Sequence, residues 1–161
     1  MIPVLMRKRF KFLARPIDCG VKWKGRPIFG KNKTWRGLIA GTLMGALVFW
    51  IQILLYEGGI TVSISLLDYS AWCPLFGAMM GLGAIVGDMI ESFFKRRIGI
   101  KPGKSWVPFD QLDFIIGALM LISIAFVPPW QAWITLLILT PLLHIATNHA
   151  AYHLKIRKQK W

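Results

Sequence analysis

The sequence predicts an all-α, polytopic membrane helix bundle with about four transmembrane helices, on three observations. Of 161 residues 55% are hydrophobic, yet the formal net charge is +13. All 20 Lys and Arg residues fall in three blocks, Arg7–Arg36, Lys95–Lys104 and Lys155–Lys160. Between the blocks run long apolar stretches, several with glycine at every fourth position. The length suits one domain, here a single membrane domain over 1–161. A soluble, basic nucleic-acid binder would spread its cations over the whole surface. Confinement to separate connections is instead the bias of cytoplasmic loops, so no nucleic-acid partner is expected.

Each element follows from the same pattern. Residues 1–36 form a basic, cytoplasmic N-terminal segment. Gly37–Tyr56 carries no charge and is long enough as a helix to cross roughly 30 Å of hydrocarbon. Tyr69–Gly87 is a second uncharged run, bounded by Asp68 and Asp88. Phe114–Leu154 has no Asp, Glu, Lys or Arg and is too long for one crossing. Pro128-Pro129-Trp130 divides it into a helical hairpin. Its short first arm, Phe114–Val127, draws in Leu112 and Asp113 at the interface. Between the first two spans, Ile60–Leu66 alternates apolar and polar residues, as a short strand would.

Four spans put all three cationic blocks on one side, with both termini in the cytoplasm. The expected location is the plasma membrane, multi-pass. Gly37, Gly41 and Gly45, then Gly77 and Gly81, then Gly83 and Gly87 form small-residue stripes that let membrane helices approach closely. Cys19 and Cys73 offer no disulfide framework.

The chemistry is expected around the middle block, a cytoplasmic catalytic loop over 88–111. Only 7 acids occur in the chain. Four of them, Asp88, Glu91, Asp110 and Asp113, flank this block as pairs spaced to share a helix face. Cations alone suit a lipid-headgroup anchor. Carboxylates beside cations suit a polyphosphate bridged by Mg²⁺, the acids holding metal and the cations holding phosphate oxygens. Solvated helix-end carboxylates, neutralised by their neighbours, are the plainer alternative. Upstream, Gly25 to Lys31 spells G-x-x-x-x-G-K, but Asn32 follows where a P-loop needs Ser or Thr, and no buried strand precedes it. A Gly-rich loop entering a helix can still hold phosphate through backbone amides and Lys33, or serve as a juxtamembrane anchor. In the last span His144, Asn148, His149 and His153 lack the acid or Cys of a usual metal site. Asn148, an amide at span depth, needs a partner.

Lys31-Asn-Lys33-Thr34-Trp35-Arg36-Gly37, Gly87-Asp88 with Ser92-Phe-Phe-Lys95-Arg96-Arg97, Asp110-Gln111-Leu-Asp113-Phe, and Thr147-Asn148 with Tyr152 together resemble the CDP-archaeol synthase family. So does Pro16-Ile-Asp18-Cys-Gly20 upstream. The resemblance implies a CTP-dependent transferase of phospholipid biosynthesis, related to phosphatidate cytidylyltransferase. Such an enzyme joins CTP to a lipid phosphate and releases pyrophosphate, with Mg²⁺ as cofactor. In the archaeal case the lipid is the ether digeranylgeranylglycerol phosphate. By the same resemblance Asp88, Asp110 and Asp113 are the metal ligands, and with Lys95 the catalytic set. Lys31, Lys33, Thr34, Ser92, Arg96, Arg97, Gln111 and Asn148 bind substrate. Family members usually have five spans, the first preceding the basic loop; here that span is expected to be absent, shortened or lost through a misplaced start. The alternatives are a synthase acting on ester phosphatidate and a non-catalytic membrane subunit. A CDP-alcohol phosphotransferase would need an Asp-Gly that this chain lacks.

Overall fold

The structure is a computed structural model describing residues 11–65, 67–101, 104 and 106–153. Among these residues four α-helices follow one another: α1 (Trp35–Glu57), α2 (Pro74–Arg97), α3 (Phe109–Ile122) and α4 (Trp130–His153). By length and composition three of them can cross a membrane: α1, α2 and Trp130–His149 of α4. The fourth, α3, has 14 residues. At 1.5 Å per residue that is roughly 21 Å, short of the hydrocarbon thickness. Residues 1–10, on which the expectation of a missing or shortened family span falls, and the Lys155–Lys160 block lie outside the described residues.

Helix ends follow local chemistry. Thr34 caps α1, its hydroxyl accepting the Gly37 N–H at 3.2 Å. Pro74 opens α2, where its missing N–H costs nothing. Lys95, Arg96 and Arg97 close α2, favourably for the carbonyl end of the helix. Thus α2 continues ten residues past the uncharged run, because Asp88–Arg97 are helical. The expected loop over 88–111 is confined to 98–108, since its two ends belong to α2 and α3. Helix α3 likewise starts and stops earlier than the expected arm over 114–127, opening at Pro108 as its N-cap. The expected strand at Ile60–Leu66 is instead a single 3₁₀ turn at Val62–Ile64; Leu66 lies outside the described residues.

Helix α2 packs between α1 and α3, and α4 packs against α3. The stripes of small residues are the contact surfaces. A Cβ built on Gly81 would stand 2.6 Å from the Gly41 carbonyl oxygen, so α1 and α2 cross backbone to backbone. Across the other interface a Cβ on Gly117 would stand 2.8 Å from the Gly87 Cα. Without side chains in the way, close approach gains dispersion that lipid tails do not offer.

Ahead of α1 runs an antiparallel arm. Strands β1 (Lys22–Trp23) and β2 (Arg26–Pro27) pair around Lys24 and Gly25, both at positive φ (50° and 76°). Two successive left-handed residues make the two-residue turn whose twist matches a hairpin. The glycines of the G-x-x-x-x-G-K run therefore shape this arm: Gly30 too has positive φ, 95°. Further down, the Ile17 N–H donates to the Lys33 carbonyl at 2.8 Å, and the Trp35 N–H to that of Arg15 at 3.2 Å. Asp18 ties the base, accepting the N–H groups of Gly20 (3.1 Å), Phe29 (3.1 Å) and Gly30 (2.9 Å). Burial pushes its carboxyl pKa up, but the Gly30, Gly20 and Phe29 amides outweigh this and hold it below the usual 3.8.

Candidate active site

Three elements meet where α2 ends and α3 begins. Asp88, Glu91, Ser92, Lys95 and Arg96 recur along α2 at helical spacing and so share one side of it. The first turns of α3 supply Asp110, Gln111 and Asp113. The arm supplies Lys33, whose Nζ lies 2.5 Å from Asp88 Oδ1. The near-touching backbones at Gly87 and Gly117 bring the acids of α2 alongside those of α3.

Glu91, Ser92, Lys95, Arg96 and Gln111 are all buried. Charges at this depth need partners. Lys95 sits between two carboxylates: it pairs with Asp110, and Glu91 Oε1 lies 3.1 Å away. Asp110 also accepts the Trp106 N–H at 2.7 Å, and Asp113 that of Phe114 at 2.6 Å. Arg96 differs. Its side chain is buried, yet Nε and Nη1 meet no acceptor among the described residues. A buried guanidinium edge left unpaired is costly, and an anion would satisfy it.

Carboxylate oxygens of Asp88, Glu91 and Asp113 lie within 4.8 Å of one another. Three hard oxygen donors on two packed helices fit Mg²⁺ by donor chemistry. The grouping differs from the set inferred by resemblance. Glu91 stands with Asp88 and Asp113, while Asp110 is occupied by Lys95 and Trp106. Glu91 was the ligand candidate left out of that set, although its spacing from Asp88 and from Lys95 is visible in the chain.

The remaining expected residues are dispersed. Lys31 is exposed on the arm, and Thr34 is used as the α1 cap. The Arg97 terminal nitrogens donate to arm carbonyls. Asn148, on α4, approaches His144 Nδ1 at 3.3 Å. Cys19 and Cys73 are free thiols.

Comparison with known proteins gives the family. The family model described as CarS-like, CDP-archaeol synthase, matches residues 1–161. The chain is similar to the CDP-archaeol synthase of Methanospirillum hungatei JF-1, at 36% identity with both chains covered in full (100%). It is similar to that of Pyrococcus furiosus at 38% identity, over 91% of this chain and 83% of the relative. Among solved structures it is similar to an intramembrane enzyme for archaeal membrane lipid biosynthesis, with TM-score 0.67 and 33% identity. That likeness covers 92% of this chain and 89% of the other. On a matched length that includes every element of the site, the chain belongs to the CDP-archaeol synthase family.

Proposed function

We propose that the protein is a membrane-embedded CTP:lipid-phosphate cytidylyltransferase acting on digeranylgeranylglycerol phosphate, with its site on the cytoplasmic face of the plasma membrane. The carrying observation is the meeting of four carboxylates with Lys33, Lys95 and the unsatisfied Arg96 at one end of the bundle. Carboxylates alone repel a nucleotide, and cations alone do not hold a metal.

In the proposed reaction an oxygen of the lipid phosphate attacks the α-phosphorus of CTP. A new P–O bond forms, and the bond from the α-phosphorus to the bridging oxygen breaks. Pyrophosphate leaves with that electron pair. The nucleophile has a second pKa of about 6 and is largely dianionic at neutral pH, so no general base is required. The work of the chain is positioning and charge neutralisation. Asp88, Glu91 and Asp113 would hold the Mg²⁺, with Asp110 keeping Lys95 in place. When bound, the metal would supply charge neutralisation to the triphosphate oxygens. Lys33 and Lys31 receive phosphates from the arm side; Lys95 and Arg96 receive them from α2. Ser92, Gln111 and Asn148 are the polar groups for orienting substrate.

Purified protein incubated with labelled CTP and the diether phosphate should yield a labelled CDP-lipid and pyrophosphate. Asp88→Asn should lower turnover by at least about a hundredfold while the protein stays folded in detergent. Normal turnover in that variant would reject the assignment. Faster labelling of an ester phosphatidate would favour a CDP-diacylglycerol-type synthase instead.

A further inference from the structure

The run Lys95-Arg96-Arg97 looks like three equivalent phosphate-binding cations, but about 100° of helix rotation per residue gives them different surroundings. Arg97 Nη1 donates to the Trp23 carbonyl at 2.5 Å, and Nη2 to the carbonyls of Pro27 (2.5 Å) and Arg26 (3.3 Å). Its guanidinium lies over two rings, 5.4 Å from the Trp23 centroid and 4.9 Å from that of Phe93. Those rings stack on each other at 5.5 Å. In the opposite direction, Arg26 Nη1 donates to the Arg96 carbonyl at 3.1 Å and to that of Arg97.

These are complementary needs. The last carbonyls of a helix lack intrahelical donors, and a two-stranded hairpin has unpaired carbonyls along its edges. Each element supplies an arginine to the other. A guanidinium can do this because its donors form a planar fork that also stacks on aromatic faces; a lysine has neither property.

We infer that Trp23, Arg26 and Arg97 form a reciprocal clamp that docks the arm on the end of α2, and that they are positioning residues for Lys33 rather than phosphate ligands. The arm transmits the docking. From the clamp its backbone pairs continue through Val21 and Ile28, then Ile17 and Lys33. Asp18 fastens the intervening turn, and Lys33 reaches Asp88. A loosened tip therefore frees Lys33, the arm cation that meets Asp88. The kinetic consequence rests on the proposed CTP reaction; the docking itself does not.

The test uses full-length protein in detergent, with Trp23→Ala, Arg97→Ala and the double variant. Each single change should raise KM for CTP about tenfold and lower kcat less than about threefold. The double should be no worse than the singles, since both remove one contact. Arg97→Lys should resemble Arg97→Ala, because it keeps the charge and loses the fork. Effects that multiply in the double, or rescue by Arg97→Lys, would overturn the clamp and return Arg97 to the phosphates. Trypsin cleavage after Lys24 gives a readout independent of activity. It should accelerate in both single variants, and an unchanged rate in Arg97→Ala would refute the docking even if the wild type proved inactive. Inactive wild type with accelerated cleavage would refute only the cytidylyltransferase reading. Should Arg97→Ala not fold, Trp23→Phe and Arg97→Lys carry the same comparison.

Discussion

The two ends of the bundle bury different things. At the end away from the acids, Phe49, Ile53, Phe76, Leu119 and Ile122 form an apolar core, packed around by Tyr69, Trp72, Phe126 and Trp133. Phe76 meets Trp72 at a centroid distance of 4.4 Å and Phe49 at 5.3 Å. At the acid end the buried residues are Glu91, Ser92, Lys95, Arg96 and Gln111. The first end is complete in itself, with rings touching rings. The second is balanced only in part, because Lys95 has two carboxylates and Arg96 has unsatisfied nitrogens. Burying charge in a membrane is expensive and marks function. On the proposed function, stability and activity reside at opposite ends of the same helices.

The largest expected effect breaks that comparison from the acid side. Lys95→Met leaves Glu91 and Asp110 facing each other without a cation. Losing one member of a buried pair costs about 3–5 kcal/mol, and turnover should disappear as well. Phe76→Ala should cost a similar amount, about 3–5 kcal/mol for a large core truncation. The two variants then part company. The Phe76→Ala protein that remains folded should turn over CTP at the wild-type rate, measured alongside thermal unfolding in detergent. Loss of turnover per folded molecule in Phe76→Ala would show that the two ends are not separable.

A smaller pair of substitutions sharpens the point, because chemistry is held constant and only location changes. Gly81 and Gly87 both sit on α2 where a neighbouring backbone passes, Gly81 under α1 and Gly87 under α3. Alanine at either site forces the helices apart, at about 1–3 kcal/mol of overpacking. Only Gly87 adjoins Asp88, and its neighbours across the interface are Asp113 and Gly117. Gly87→Ala should therefore lower turnover and, at the proposed Mg²⁺ site, raise the Mg²⁺ concentration needed for half-maximal rate, while Gly81→Ala lowers thermal stability alone. Equal losses of activity in both would mean that the acids tolerate helix separation.

How much of this was legible in the chain depended on whether a feature is local. Uncharged runs located three long helices because the bilayer filters composition directly. They misplaced the helix ends because a charge-free run marks hydrocarbon, whereas α2 keeps its hydrogen bonds through Arg97 by burying polar residues against α3. Four site acids were legible from number and spacing. Which three of them group was not, since that depends on the α2–α3 register, set by glycine contacts far apart in sequence. Arg97 shows the same limit. At 100° of helix rotation per residue, adjacent cations face different partners, and the hairpin that claims this one comes from the opposite side of α1 in the chain.

The smallest effect concerns the arm's base, where the charge on Asp18 is structural rather than catalytic. One carboxylate oxygen accepts Gly20 and the other accepts Phe29 and Gly30. Asn at this position keeps one acceptor and turns an NH₂ toward the remaining donors, which should cost about 1–3 kcal/mol at neutral pH. The folded pKa is held below 3.8, so the unfolded chain takes up the proton first. The stabilisation is then full above that value and fades as pH falls through the folded pKa. Thermal unfolding of wild type and Asp18→Asn should differ at pH 7 and converge in acid. A gap that persists below the folded pKa would mean the three amides respond to shape and not to charge, and Asp18 would lose its place as the electrostatic knot beneath Lys33.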